Sequence, residues 1–518
     1  MNNNYNPNFQ YNSCISKGIC SVNPRTSALQ NVLVLYLNVC AKYCLKLYDK
    51  KALKDSVKDF ILNTLAICIL NPEFTEDGFN FAISKIKTLL PELINKYKEL
   101  FPDDKNETKE SELLKNCDNI IDSIKFGEEI SRKASEIFTT QLRDLYKIML
   151  ICAKSLCINI LDFESYKETS NKGFLEILNI LKHISLEKQE IDILKKAIKN
   201  CVNCDLKIRT KLRKIQESRY GTQNYANVSY TTTPSKAILV VGSNIKELEN
   251  ILESLRETKI DVYTHDEMIL AHTFPKFKEY KNLKGQFGHG LENCLIDFAT
   301  FPGPIILTKH SLHNIENFYR GRLFTTEQNS YKGVVSICNN DFSKVIESAN
   351  QSKGFKTGKN CDTVKIGYDF DQIKNIISKK IIEHGYKKFV LIGLKEYYTE
   401  QKDYFEKLIK LIPDDTLIIS FSYNKKQENL IHINACFDSY ALIRIFKYIY
   451  DYNLPVDIFM PKCDRNTISE MIYLKEFDNT QIFVGDCIPI MINPSLRKTL
   501  HEVFDIKTIT SPKQDLAE

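Results

Sequence analysis

The sequence predicts an α + α/β protein, with an N-terminal helical-bundle domain followed by two doubly wound, Rossmann-like parallel-sheet domains. Three observations carry this. From about 25 to 218, apolar residues recur at spacings of three and four, as helices with one buried stripe require. A stretch rich in Asn, Thr and Tyr, RYGTQNYANVSYTTTPSK (219–236), then breaks that period. From Ala237 onward, short apolar runs alternate with helical patterns, which implies parallel strands covered by helices. A chain of 518 residues has room for roughly two to four domains. The predicted boundaries are 1–232 for the helical domain, 236–356 for the first α/β domain and 359–518 for the second.

The elements follow in order. The first thirteen residues, MNNNYNPNFQYNS, have neither the charged nor the apolar region of a signal peptide and are expected to be disordered. ALQNVLVLYLNVCAKYCLKLY (28–48) is strongly apolar, but Asn31, Asn38 and Lys42 interrupt it at helical spacing. A spanning helix needs about 18 uninterrupted apolar residues, so this run reads as a buried amphipathic helix and not a membrane anchor. Pro72, Pro91, Pro102 and the polar PDDKNETKE (102–110) punctuate the helices that follow. AILVVGS is a buried strand, NIKELENILESLRE a helix and KIDVYTH a second strand; GPIILTK and GVVSIC continue the sheet. A second break falls at QSKGFKTGKNCDT (351–363). Beyond it, FDQIKNIISKKIIEHG is a helix, and KKFVLIG, DTLIISFS and TQIFVGD are strands.

Net charge is +6, but lysines alternate with acids along the chain, so no basic block marks a nucleic-acid partner. With no targeting segment and no spanning run, a cytoplasmic protein is expected. Sixteen cysteines in such a chain argue against a disulfide framework. Cys40, Cys44, Cys68, Cys152 and Cys157 lie in apolar helical runs and read as small core hydrophobes. CVNC (201–204) is the one C-x-x-C; it is either a redox or metal motif or a core detail, and zinc sites usually need a second pair. His265, His289, His310 and His313 match no metal-ligand spacing and read as structural or surface histidines. GQFGHG (285–290) lacks the G-x-G-x-x-G order of a phosphate loop and reads as a turn.

Between Ile238 and Leu312 stand ILVVGSN, VYTHDEM, KGQFGHG and FPGPIILTKHSL, with LQN near the N-terminus and CFDSYAL at 436–442. Together these resemble the hybrid cluster protein family, also called hydroxylamine reductases or prismane proteins. The resemblance implies an N-terminal helical domain, two α/β domains and two iron–sulfur centres. The first centre takes four cysteines; CISKGICSVNPRTSALQ places Cys14 and Cys20 at the last two positions, and residues 1–13 supply no others. For the hybrid centre, the resemblance carries a His, two Glu and four Cys. The His position falls on Ser243, and the first Glu is retained as Glu267. The Cys after F-P-G-P-I falls on Ser311, the persulfide Cys on Lys395 and the next Cys on Tyr423. The last Cys is retained as Cys436, while the second Glu and a nearby Lys fall on Asp464 and Asn466.

A cubane normally needs four thiolates, and iron–sulfur sites select sulfur over neutral hydroxyls. An ammonium such as that of Lys395 has no lone pair to give. These replacements lead to the expectation of a divergent, cluster-less paralogue without cofactor, acting as a binding or interaction protein. It would take a protein partner, or a small molecule in the cavity that lost its cluster between domains. The alternative is an active iron–sulfur oxidoreductase reducing hydroxylamine or nitric oxide. A speculative variant has Cys14, Cys20, Cys201 and Cys204 converge as a rebuilt four-thiolate site. Lys395 is expected to pair with Glu267 or Asp464.

Overall fold

The protein is described by a computed structural model. The structure describes residues 24–66, 76–104, 119–185, 187–288, 293–311, 315–327, 331–393, 402–423, 426–435, 438–461, 466–485 and 494–517. The chain divides into two compact units. The first comprises residues up to Thr210 together with Asp464–Tyr473 and Ile488–Asp505; the second holds the remainder.

The first unit is helical: α1 (Pro24–Asp49), α2 (Asp55–Ala66), α3 (Glu76–Leu100), α4 (Ile120–Ile137), α5 (Thr140–Glu164), α6 (Asn171–Leu181) and most of α7 (Ile191–Tyr220). By length and composition α1 could cross a membrane, but 72% of its most apolar window is buried inside the fold. Its asparagines are the reason it suits this interior. Asn38 donates to the Leu181 and Lys182 carbonyls that end α6, at 2.8 and 3.0 Å. Asn31 donates to Ser131 Oγ at 2.9 Å. At Gly127 of α4 a Cβ would stand 2.0 Å from the Ala28 carbonyl oxygen, so only glycine lets α4 approach α1 so closely. Caps fix the starts of these helices: the Asn119 side chain accepts from Ile121 and Asp122 N–H, and Thr139 from Leu142 N–H.

The second unit carries two six-stranded parallel sheets. The first is formed by β2 (Lys236–Val241), β3 (Ile260–His265), β4 (Leu283–Gln286), β5 (Ile305–Leu307), β6 (Leu323–Thr325) and β7 (Val335–Ser336), in the order β4-β3-β2-β5-β6-β7. Its helices are α8 (Ile245–Ser254), α9 (Cys294–Thr300) and α10 (Ser343–Gln351). The second sheet has β9 (Lys388–Ile392), β10 (Thr416–Ser420), β11 (Leu430–His432), β12 (Val456–Met460), β13 (Thr480–Val484) and β14 (Lys507–Thr508), in the order β11-β10-β9-β12-β13-β14. Its helices are α11 (Phe370–His384), α12 (Lys402–Leu411), α13 (Ser439–Tyr450) and α16 (Pro512–Ala517). A short antiparallel ribbon pairs β1 (Ala226–Ser229) with β8 (Thr363–Ile366).

Both sheets therefore repeat one topology, the third, second, first, fourth, fifth and sixth strand in that order. This is the doubly wound arrangement in which a crevice opens at the carboxyl ends, where strand order reverses. The central strands are continuous apolar runs because both faces are covered; Ala237–Val241 and Phe389–Ile392 are wholly buried. One reading needs correction: GQFGHG is not simply a turn, since Gly285 and Gln286 close β4 and pair with Tyr263 and Thr264. Two helices absent from the linear reading, α14 (Thr467–Leu474) and α15 (Pro494–Phe504), belong almost entirely to the helical unit although their neighbouring strands belong to the sheets.

Candidate functional site

The described positions of the second unit that the resemblance assigns as ligands all stand just past the carboxyl ends of parallel strands. Ser243 follows β2, Glu267 follows β3, Ser311 follows β5 and Tyr423 follows β10. Chain topology alone thus gathers the family positions at the edges where α/β sheets bind ligands. Glu267 is partly buried and follows Asp266, whose φ of 58° lies in the left-handed region. That turn is held by Gln286, whose amide oxygen accepts from Asp266 N–H at 3.0 Å and whose nitrogen donates to Thr264. His265 is wholly buried, with Nε2 3.0 Å from Asp297 Oδ2 and its ring edge-on to Phe298. Of the two readings its sequence left open, structural or surface, the structure gives the structural one.

At the reversal point of the first sheet, Thr308 donates from both its N–H and its hydroxyl to the Val241 carbonyl, at 3.0 and 2.9 Å. The Ser311 N–H then donates to the Thr308 carbonyl at 3.0 Å. Gly242, at φ +119°, lies under both side chains: a Cβ there would stand 2.1 Å from Thr308 Oγ1 and 2.2 Å from Ser311 Oγ. The turn that in dinucleotide-binding folds approaches a pyrophosphate is packed here against two hydroxyl side chains. Two carboxylates brace the loop. Glu247 accepts from Lys309 N–H at 3.0 Å and from the Thr326 hydroxyl at 2.6 Å, and Glu327 accepts from His310 N–H at 3.1 Å. Sequence reasoning missed Thr308, Glu247 and Glu327, because a brace between distant segments leaves no local motif.

Tyr423 is 8% exposed and stacks on Phe405, with ring centroids 5.1 Å apart and planes at 21°. It belongs to the apolar core of the second sheet with Val390, Ile392, Leu408 and Phe459. In the helical unit, Asn466 is buried and accepts from Ser155 Oγ at 3.0 Å and Asn159 Nδ2 at 3.2 Å. Ser155 and Asn159 also donate to Asp205, at 2.8 and 2.7 Å. Beside this network Arg209 Nη2 lies 2.7 Å from Glu470 Oε1, both side chains almost fully buried. Cys201 is wholly buried on α7 and Cys204 partly so. Burial, with Cys152 close by, pushes the Cys201 thiol well above its usual range, which disfavours the thiolate a metal would take. Cys40, Cys44, Cys152 and Cys157 are buried, as read.

Cys14, Cys20, Cys68, His289, His313, Lys395, Cys436 and Asp464 lie outside the described residues. The convergence of Cys14 and Cys20 with the C-x-x-C and the pairing of Lys395 therefore do as well. Among the described residues, no three His, Cys, Asp or Glu side chains gather as metal ligands would. At two of the positions that the resemblance assigns as ligands, Ser311 and Tyr423 do not fit an iron–sulfur centre. Neither offers sulfur; the Ser311 hydroxyl lies 3.5 Å from that of Thr308, and the Tyr423 ring is stacked on Phe405.

Residues 10–517 match the family model described as Prismane/CO dehydrogenase family. A hydroxylamine reductase of Thermodesulfovibrio yellowstonii is 24% identical over 98% of this chain and 98% of its own. One from Zymomonas mobilis is 26% identical, over 98% and 96%. Among solved structures, the alpha subunit of acetyl-CoA synthase/carbon monoxide dehydrogenase aligns with 97% of this chain and 83% of its own, at 10% identity and a TM-score of 0.47.

Proposed function

Since the chain belongs to the Prismane/CO dehydrogenase family, we propose that it is a cluster-less paralogue of hydroxylamine reductase that keeps the scaffold and acts by binding. The observation that carries this reading is Tyr423. Where the family has a thiolate, a large aromatic ring is stacked into the core, and a single rotation cannot exchange one for the other. Ser311 adds to it, since its hydroxyl is neither soft nor anionic and sits over Gly242. What the scaffold binds is a protein partner or a small molecule at the carboxyl ends of the strands, the region where Glu267 retains a family carboxylate. Family membership favours a second reading, an iron–sulfur oxidoreductase acting on hydroxylamine or nitric oxide.

One measurement separates the two. Protein produced and purified without oxygen is expected to be colourless, with well under one iron per chain. Stoichiometric iron with visible sulfur-to-iron charge-transfer absorption supports the reductase instead. Chemical reconstitution with iron and sulfide, followed by desalting, is expected to leave no bound iron.

A further inference from the structure

The second unit contains a buried cation that none of the family's ligand positions explains. Arg213 extends from the last turns of α7 and makes a two-pronged pair with Asp438, from Nη1 at 2.8 Å and from Nη2 at 2.9 Å. Both side chains are nearly enclosed, at 11% and 3% exposure. The guanidinium lies over the rings of Phe274 and Tyr440, at 6.0 and 5.5 Å from their centroids. Its Nη1 also donates to Gln223, and Gln223 in turn donates to Thr273 Oγ1 at 3.0 Å.

The partners come from different sheets. Thr273 and Phe274 end the turn of helix Asp266–Thr273 that follows β3 of the first sheet. Asp438 and Tyr440 stand at the start of α13, which covers the second. A parallel contact runs alongside: Arg444 of α13 donates to Glu217 of α7 at 2.7 Å and lies over Phe370, 4.1 Å from its centroid. Movement of one sheet against the other strains the chain Thr273–Gln223–Arg213–Asp438, which must give at one of its three links. Separating the guanidinium from Asp438 leaves buried charge uncompensated, a costly state. Apolar packing alone tolerates sliding; a two-pronged ion pair with fixed geometry does not.

We propose that the Arg213–Asp438 pair is a lock that fuses the two α/β sheets into one cooperative body, so that they open and unfold together. This does not depend on whether a cluster is bound, because it rests on contacts that contain no ligand position.

Native-state hydrogen exchange read by mass spectrometry, across a series of sub-denaturing urea concentrations, tests the lock in the full chain. Peptides from β2–β3 (236–265) and from β9–β10 (388–420) are expected to exchange with one shared urea dependence in the unaltered protein. Arg213→Lys keeps the charge but loses the fork. It is expected to speed exchange about tenfold to a hundredfold in peptides 266–274 and 438–450, the span given by losing a charged hydrogen bond. Arg213→Met is expected to give the two sheets separate urea dependences; if it does not fold, the unaltered chain and Arg213→Lys carry the test. Separate urea dependences in the unaltered chain overturn the proposal. So does unchanged exchange in Arg213→Lys.

Discussion

Tyr423 is held in place by packing. Its ring lies against Phe405 inside an apolar cluster, so removing it empties a space lined by aliphatic side chains. Tyr423→Ala is expected to destabilise the fold by about 3–5 kcal/mol, the usual range for deleting a buried aromatic. Urea denaturation checks this; a loss under about 1 kcal/mol would show that the ring is not a core residue. His272 offers a test in pH. Its Nε2 lies 3.0 Å from Thr264 Oγ1, and burial lowers its pKa from 6.5 to about 4. The folded protein then holds this proton less tightly than the unfolded chain does. Stability from the neutral ring is full above about pH 6.5 and is lost as pH falls through about 4. The residue keeps some exposure, so the effect is on the order of 1–3 kcal/mol. Melting temperature followed from pH 7 to 4 should fall less steeply in His272→Gln than in the parent. Equal slopes would mean the ring is hydrated in the folded state.

At the scale of elements, α14 is the informative case. Its sequence, TISEMIYL, is short and apolar and has no marker of the partner it will choose. The choice is made by polar groups: Asn466 before the helix joins Ser155, Asn159 and Asp205, and Glu470 within it meets Arg209. Asn466→Leu removes an acceptor shared by Ser155 and Asn159 and is expected to cost about 1–3 kcal/mol. Glu470→Gln removes the charge paired with the buried Arg209 guanidinium and is expected to cost more, about 3–5 kcal/mol. Chemical denaturation of the two variants side by side gives the order; Asn466→Leu as the more harmful would contradict the account. These elements also mark where sequence reading stops. Strands such as ILVV and FVLI announce themselves because a doubly covered strand must be apolar throughout. The helices from 28 to 218 announce themselves by period. Long-range pairings such as Asn466 with Ser155, or Glu247 with the loop at Lys309, leave no such trace. Either partner alone looks like a surface residue. For the same reason the sequence singles out Ser311 and Tyr423 by the motifs around them but does not name their neighbours.

For the whole molecule, two parallel sheets were implied by strand–helix alternation, though not the strand order they share, and the helical beginning by its period. The interleaving of the two units was not. The chain leaves the helical unit after Thr210 and rejoins it only at Asp464, then again at Ile488. This has a consequence for biosynthesis. Translation delivers roughly 5–20 residues per second, so the early helices emerge tens of seconds before α14 and α15 exist. Through that interval the face of α5 that will receive Asn466 and α15 has no native cover, and Arg209 awaits Glu470 on a tethered nascent chain. Domains that close as they emerge escape this wait. Here the earliest-made part of the protein is among the last to be completed, and a ribosome stalled between residues 210 and 464 would display an unfinished core to the chaperones around it.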